Sequence, residues 1–217
     1  MIGKLLQKEL QLCLHPTSFL LPLLAGLILT PNYPYTVSYF YLCLAVFFIC
    51  LTGRENHDIT YSLTLPVAKA DLVTARFLLV MLIELAQLLL AGLLIWLHGK
   101  LLPQPNAAGM DANLALLGEG FFCFGLFHLV FFPSYYKDVD KVGLSFLKGA
   151  GAQFALILAQ IVLCYALPLY REILDTPDPE HAGAKLLFCA VGLAFYLVST
   201  LLAWRISQKR FCQLDIR

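Results

Sequence analysis

Apolar residues occur in long runs separated by short polar stretches. A helix needs about 20 mostly apolar residues to cross a bilayer, and six runs are candidates. The predicted spans are Thr17–Thr30, Thr36–Gly53, Asp71–His98, Leu114–Phe132, Gly149–Tyr170 and Leu186–Trp204. The first run is short. The third is longer than a bilayer requires, so its first turns are expected to project into water.

The N-terminal residues 1–15 predict an amphipathic helix that lies along the membrane surface. The segment is too short and too polar to cross the bilayer, and a turn into the first span is expected at His15-Pro16. The apolar face is expected to contain Ile2, Leu5, Leu6 and Leu12. The polar residues Lys4, Lys8, Glu9 and Gln11 are expected to point away from it.

Composition supports a membrane protein. Of the 217 residues, 60% are hydrophobic and 13% are charged, whereas soluble domains contain about 25% charged residues. We therefore predict an all-α integral membrane protein with six transmembrane helices and the interfacial helix. Residues 1–217 are expected to form a single domain.

The positions of lysine and arginine predict the orientation. With six spans, both termini lie on one side, together with the connections after spans two and four. That side collects twelve basic residues: Lys4, Lys8, Arg54, Lys69, Arg76, Lys137, Lys141, Lys148, Arg205, Lys209, Arg210 and Arg217. The opposite side collects Lys100, Arg171 and Lys185. Because cytoplasmic loops are enriched in basic residues, both termini are predicted to be cytoplasmic.

The most polar connection is Arg54–Arg76, between the second and third spans. It includes Glu55, His57, Asp58, Lys69 and Asp71. Placing each charged side chain in hydrocarbon would cost on the order of several kcal/mol. The segment is therefore expected in water or at the membrane surface.

Catalytic and nucleotide-binding patterns are missing from the sequence. There is no Gly-x-x-x-x-Gly-Lys-Ser/Thr loop for phosphate, and no His-Glu-x-x-His pair for zinc. His57-Asp58 is the adjacent histidine–carboxylate pair of the charged connection, and a surface loop explains it better than a metal site. The seven cysteines lack the spacing of zinc ligands. They are predicted to be small buried side chains rather than members of disulfides. No catalytic residue and no metal site is predicted.

Polar residues inside the spans are candidates for a translocation pathway. Glu84 and Gln87 lie on one face of the third span, and Gln153 and Gln160 on one face of the fifth. Glu119 lies in the outer half of the fourth. Such residues are expected to be functional in a membrane, or else they fix helix packing by hydrogen bonds. The sequence leaves both interpretations open.

The charged connection carries a recognisable pattern. An acidic residue, Glu55, is followed by Leu63, by Leu65-Pro66-Val67, by Lys69 and Asp71, and by an apolar run that begins near Arg76. This order, between the second and third spans, resembles the bacterial ABC exporter permeases of the type-2 class. The small six-span permeases, such as the membrane subunits of phenol-soluble modulin exporters, are the most similar. Lys69 stands where many of those proteins have arginine.

The resemblance implies a role for this segment. In that family it forms a coupling helix that docks in a groove of a separate ATPase. Residues 54–71 would then be the coupling segment, with Glu55, Asp58, Leu65, Pro66, Lys69, Asp71 and Arg76 as coupling residues.

The resemblance also implies the partners. They would be ABC ATPase subunits carrying ATP and Mg²⁺, a second permease chain and the lipid bilayer, with no nucleic acid and no cofactor on this chain. The transported molecule would be a peptide or another amphipathic substrate, exported across the plasma or inner membrane.

Two other classes remain open. A membrane assembly or immunity factor without an ATPase would tolerate charge reversal between Glu55 and Asp71. A membrane-embedded enzyme would instead need Glu84, His57 or His128 and would act alone.

Overall fold

The computed structural model describes residues 2–14, 16–102 and 105–214, and among these no residue lies in a β-strand. The helices are α1 (Ile2–Leu12), α2 (Thr17–Leu23), α3 (Val37–Glu55), α4 (Asp58–Leu63), α5 (Lys69–Leu101), α6 (Leu114–Tyr135), α7 (Val142–Ala166) and α8 (Ala182–Gln213). A 3₁₀ helix, Leu24–Leu29, follows α2, and a π-helical turn, Tyr170–Leu174, follows α7.

Five of these helices, α3 and α5 to α8, are long and apolar enough to cross a membrane. The segment predicted as the first span is α2 with its 3₁₀ extension, which is too short to count alone. With α1 it forms a pair bent by 91°, which raises the number of candidate spans to six. The all-α, multi-span prediction is confirmed at this level. His15, where the turn was predicted, lies outside the described residues.

One predicted connection is shorter than the sequence indicated. Pro133–Lys148 was expected to be a loop, but Pro133 lies within α6 and α7 already starts at Val142. Pro133 lies in the last turn of α6, where its missing N–H removes the backbone hydrogen bond to the Leu129 carbonyl. The helix nevertheless continues to Tyr135, with Phe131, Phe132 and Tyr135 buried around the proline. At the other end α7 stops at Ala166, because the residue before a proline, here Leu167 before Pro168, disfavours the helical region.

The C-terminal tail predicted from Arg205 is mostly helical, since α8 extends to Gln213. Two contacts explain the extension. Phe211 is fully buried, and the Arg210 guanidinium donates a hydrogen bond to the carbonyl oxygen of Pro133. Residues 215–217 of the predicted tail lie outside the described residues.

Helix α6 is the centre of the bundle. Its phenylalanines Phe124, Phe127, Phe131 and Phe132 have no exposed surface. Helix α8 lies against it most closely, and a Cβ added at Gly192 would be 2.7 Å from the carbonyl oxygen of Gly118. Small residues at such crossings let membrane helices pack by van der Waals contact of their backbones.

The outside of the bundle is apolar. Leucines on α5, α7 and α8 are more than half exposed: Leu89 by 68%, Leu158 by 61% and Leu187 by 67%. An exposed apolar surface of this extent marks contact with a membrane or another chain. A lipid-facing bundle accounts for it.

Candidate functional site

The charged connection folds into a short helix between two spans. Helix α3 ends at Glu55, and His57 adopts a left-handed conformation (φ 51°) at the start of α4. After Leu63 the chain turns through Leu65 and Pro66 and enters α5 at Lys69. This places α4 across the ends of α3 and α5.

Four charged side chains meet inside this region. The Arg76 guanidinium from α5 forms ion pairs with Glu9 from α1 and Asp58 from α4. Lys8 from α1 pairs with Asp58 and, at 2.9 Å, with Glu9. We call these four residues the ionic cluster. It joins α1 to α4 and α5, which lie about 50 residues or more further along the chain.

The ionic cluster is buried. Arg76 is 3% exposed, while Glu9 and Asp58 are each 1% exposed. Burial alone would raise the pKa of Asp58, but Arg76 and Lys8 outweigh it and hold that pKa below its usual value. Likewise, burial would lower the pKa of Lys8, but Glu9 and Asp58 raise it. Asp58 and Lys8 therefore favour their charged forms inside the cluster.

Further contacts close the cluster on the side of α3. Lys8 Nζ also donates to the hydroxyl of Ser62 at 2.8 Å, and Asn56 Nδ2 donates to the Leu12 carbonyl at 2.7 Å. A Cβ at Gly53 would lie 3.2 Å from Arg76 Nη2 and 3.3 Å from Asp58 Oδ2. Helix α3 thus presses its backbone against the ion pairs.

Cys13 lies beside two members of the ionic cluster, Glu9 and Asp58. One potential metal-ligand atom from each of these three residues lies within 4.8 Å of the other two. However, both carboxylates already have Arg76 and Lys8 as cationic partners. The residues present thus fit an ion-pair network better than a metal centre.

The predicted coupling residues separate into two groups. Asp58 and Arg76 are buried in the ionic cluster, and Lys69 donates to the Leu214 carbonyl at 2.7 Å. These three residues connect parts of the chain to each other. Any contribution of Asp58 or Arg76 to coupling would therefore be through positioning.

The other predicted coupling residues lie at or near the protein surface. Glu55, Leu65 and Pro66 are exposed, with Leu65 exposed by 39%. Tyr61, which the sequence did not single out, is exposed by 54% next to them. Asp71 is half-buried in the first turn of α5, where an acidic side chain is favourable near the helix N-terminus. Glu55, Tyr61, Leu65 and Pro66 together form the outward face of the segment, which we call the α4 face.

The charged connection between α6 and α7, residues 136–141, contacts the end of α3. Arg54 Nη1 donates to the carbonyl oxygen of Asp140 at 2.9 Å. A 220 Å³ cleft between the two connections is lined by Arg54, His57, Tyr135 and Asp138, among others. The two charged connections therefore form one continuous surface.

Sequence reasoning missed Lys8 and Glu9. Glu9 was expected to point away from the apolar face of the N-terminal helix, and that expectation is wrong because Glu9 is buried against Arg76. The spacing of Leu5, Glu9 and Cys13, four residues apart, places them on one buried stripe. That stripe indicates in the sequence that Glu9 is buried. It does not identify the partner of Glu9, because Arg76 lies 67 positions further along the chain.

The predicted pathway residues lie in the core of the bundle. Glu84 accepts a hydrogen bond from Tyr196 at 2.7 Å, and its other oxygen is 2.8 Å from His128 Nε2. His128 Nδ1 in turn lies 2.9 Å from the Thr200 hydroxyl. Three spans, α5, α6 and α8, are joined by these contacts.

The other polar residues of the spans have separate surroundings. Gln87 Nε2 donates to the Ser38 carbonyl at 2.9 Å. Gln160 Oε1 lies 4.0 Å from the Cys123 thiol, and Gln153 is fully buried. Glu119 accepts a hydrogen bond from Tyr170. Each of these hydrogen bonds joins neighbouring elements of the same chain.

The family of the chain follows from a sequence comparison. The profile of the family described as ABC-2 family transporter protein matches residues 4–211. The chain therefore belongs to the ABC-2 family of transporter proteins. No curated protein and no solved structure matches the chain. With five or six candidate spans, it is a multi-pass membrane component of an ABC transporter and is not itself catalytic.

Proposed function

We propose that this chain is the permease subunit of an ATP-driven exporter of a peptide or another amphipathic substrate. A separate ABC ATPase, with ATP and Mg²⁺ bound to it, would dock on the cytoplasmic surface of the chain. The family match supports the transporter role, and the resemblance to small six-span permeases supports export across the plasma or inner membrane. Both termini would be cytoplasmic, with α1 along the membrane surface and α2 with its 3₁₀ extension as the first of six spans.

The observation that carries this proposal is the buried attachment of α4. Asp58 ties α4 to Arg76 near the start of the long helix α5, and Glu9 ties α1 to the same guanidinium. An ordinary surface loop needs no such internal ion pairs. A segment that transmits movement of an ATPase to the transmembrane helices needs a rigid attachment of this kind.

The exposed and buried residues of the segment would have different tasks. The α4 face would contact the ATPase, with Tyr61 and Leu65 as apolar contacts and Glu55 at the edge. Exposed apolar residues among charges are typical of protein interfaces. When ATP closes the ATPase subunits, movement of α4 would reach α5 and α1 through the ionic cluster.

A second permease chain completes the proposal. The interior of this bundle is filled by aromatic side chains such as Phe124 and Phe127, which are fully buried. A passage for an amphipathic substrate would then lie between two chains rather than inside one. A two-fold pair of permeases provides it, with the same or a homologous chain as partner.

The experiment is co-purification of the ATPase from native membranes with the detergent-solubilised chain. The variant Glu55→Lys/Asp71→Lys changes the charged connection, and Glu172→Lys/Glu180→Lys is a matched control in the connection between α7 and α8. We expect wild type and control to retain a P-loop ATPase, and the first variant to lose it. An ATPase that stays with all three would move the docking site elsewhere, and its absence from all three would contradict the permease role.

A further inference from the structure

A cavity lies at the end of α5 that is far from the ionic cluster. Its volume is 500 Å³, which lies within the range of about 300–1,000 Å³ that is typical of ligand pockets. Lys100, one of its lining residues, is about 36 Å from Arg76 along the same helix, at roughly 1.5 Å per residue. The hydrocarbon core of a bilayer is about 30 Å thick. The cavity and the ionic cluster therefore lie at opposite interfaces of the membrane.

The lining of this cavity changes from apolar to charged along the helix. Gly92 marks its apolar part, about 12 Å nearer the bilayer centre than Lys100. Lys100, Asp111 and Asp178 line the other part. Trp96, between the two parts, is 57% exposed. The cavity thus has the polarity of the bilayer beside it, and a molecule that spans both parts must be an amphiphile.

Lys100 provides a positive charge in the lining. Its Nζ atom lies 3.9 Å from the centroid of the Trp96 ring, so a cation–π contact fixes its position. Among the residues that the structure describes, no carboxylate pairs with it. An ammonium group has three N–H donors and no acceptor. Lys100 therefore has donors available for an anionic group.

The acceptors come from Asp111 and Asp178. Asp111 Oδ1 accepts from the Asn106 N–H, and its Oδ2 has no donor within the described part of the chain. Asp178 already accepts from Lys185 and from the Leu114 N–H, each at 2.9 Å. Of the two carboxylates, Asp111 is therefore the one with an oxygen left for a ligand.

His98 adds a buried ring nitrogen to the lining. The residue is 6% exposed, and its Nε2 atom lies 3.1 Å from the Tyr35 hydroxyl. Its Nδ1 atom has no hydrogen-bond partner among residues 2–14, 16–102 and 105–214. Buried polar groups in folded proteins nearly always have a partner. A ligand in the cavity can supply the missing one.

These charges select the headgroup of an amphiphile. An anionic headgroup would pair with Lys100 but would meet the carboxylate of Asp111. A cationic headgroup would leave Lys100 without a partner. A headgroup with both charges matches both residues, and its cation must be a primary ammonium, because a quaternary one has no N–H to donate.

We propose that this cavity binds a phospholipid with a primary-ammonium headgroup, of the phosphatidylethanolamine type. Its phosphate would contact Lys100, and its ammonium would donate to Asp111 and His98. One acyl chain would extend past Trp96 toward Gly92. The lipid would enter sideways from the leaflet on this side of the membrane. The site is distinct from the ionic cluster and the α4 face, and it requires neither an ATPase nor transport.

The test is native mass spectrometry of the full-length chain in detergent, titrated with dioleoyl phosphatidylethanolamine, phosphatidylcholine or phosphatidylglycerol. The three lipids share their acyl chains and phosphate. The second carries methyl groups in place of the N–H donors, and the third has no cation. We expect the first molecule of phosphatidylethanolamine to bind on the order of tenfold more tightly than either of the others. Equal affinities, or tightest binding of phosphatidylglycerol, would overturn the proposal.

Two variants locate the site. Asp111→Asn removes the charge but keeps an oxygen for the Asn106 N–H, so it should lower the affinity for phosphatidylethanolamine to that for phosphatidylcholine. Glu172→Gln, in the exposed connection between α7 and α8, is the matched control and should keep the preference. A preference that survives Asp111→Asn would contradict the assignment.

Lys100→Gln tests the phosphate contact without a buried change. Because all three lipids have a phosphate, we expect each to bind several-fold more weakly, with an unchanged melting temperature. Unchanged affinities in this variant would contradict the site, even if Asp111→Asn failed to fold.

A soluble compound distinguishes the lipid from its headgroup. Glycerophosphoethanolamine has the same phosphate and ammonium but no acyl chains to fill the apolar part of the cavity. It should not displace bound phosphatidylethanolamine at equal concentration. Displacement would contradict the lipid assignment and would indicate a site for a soluble zwitterion.

Discussion

Glu9 and Arg76 form a buried ion pair although they lie 67 positions apart in the sequence. The pair connects α1 to the first turns of the long helix α5, and Asp58 connects the same guanidinium to α4. Removing one partner of a buried pair leaves an uncompensated charge, which is more costly than never having the pair. The arrangement therefore holds α1, α4 and α5 to one another through buried charges.

Substitution of Arg76 should be severe. Arg76→Leu leaves Glu9 and Asp58 with Lys8 alone, and we expect a loss of about 3–5 kcal/mol in the free energy of unfolding. The measurement is unfolding in mixed micelles followed by tryptophan fluorescence. Lys141→Met is the control, because it breaks the exposed pair with Asp138, whose side chains are 65% and 39% exposed. Similar effects of both substitutions would contradict a structural role for the ionic cluster.

Glu84 should tolerate an amide but not an alkyl chain. Glu84→Gln keeps an oxygen that can accept from Tyr196, whereas Glu84→Leu leaves the Tyr196 hydroxyl and His128 without that partner. The expected loss is about 1–3 kcal/mol for the leucine variant and less for the glutamine variant. Thermal unfolding in detergent measures both. If Glu84→Gln instead unfolds as readily as Glu84→Leu, the carboxylate charge matters to the fold.

If substrate transport survives Glu84→Gln at the wild-type rate, Glu84 belongs to helix packing. A loss of transport in a variant that is as stable as wild type would place Glu84 in the translocation pathway. The same membrane preparation of both proteins provides the comparison.

The loop at Asp175 should respond to pH. Burial raises the pKa of Asp175 to about 6, above an ordinary value of 3.8. The folded state therefore binds this proton more tightly than the unfolded state, so stability is highest below about pH 4 and decreases as the pH rises toward 6. Asp175→Asn cannot ionise and still offers an acceptor to the Asp111 N–H, which lies 2.7 Å from Asp175 Oδ1.

We expect Asp175→Asn to be more stable than wild type at pH 7.5 by about 1 kcal/mol or less, since the group is partly screened by solvent. At low pH the two should converge. Melting temperatures over this pH range measure the difference. A lower melting temperature for Asp175→Asn than for wild type at pH 7.5 would contradict this prediction.

Cys212 offers a direct probe of orientation. Among the seven cysteines it is the one that is exposed, near the end of α8. If the C-terminus is cytoplasmic, a membrane-impermeant maleimide should label wild type in inside-out vesicles and not in right-side-out vesicles. Cys212→Ser should abolish the signal. Labelling from the outer side would reverse the proposed topology and with it the location of the α4 face.

The sequence predicted the spans well because their apolar runs are long and local. The boundaries of α3 and α5 fall within three residues of the expected ones. Pro133 was misplaced because a proline suggests a break, whereas aromatic neighbours such as Phe131 and Tyr135 keep the helix packed around it. Local propensity was overridden by burial.

The site was less predictable than the fold. Glu55 and Leu65 were assigned to an exposed segment, and they are exposed. Asp58 and Arg76 look equally polar in the sequence but are buried, because their partners come from α1. A pairing between distant helices depends on how each helix is rotated, and one sequence without its relatives does not contain that information.

The most direct test of the central claim is photocrosslinking at the α4 face. A photoreactive phenylalanine analogue would replace Leu65 or Tyr61 in one set of cells, and Pro179 in the connection between α7 and α8 in another. Illumination of native membranes should crosslink Leu65 and Tyr61 variants to a protein whose sequence contains a P-loop, and the Pro179 variant should give no such product. Absence of an ATPase crosslink at Leu65 and Tyr61, in chains that insert and fold normally, would contradict docking at this face.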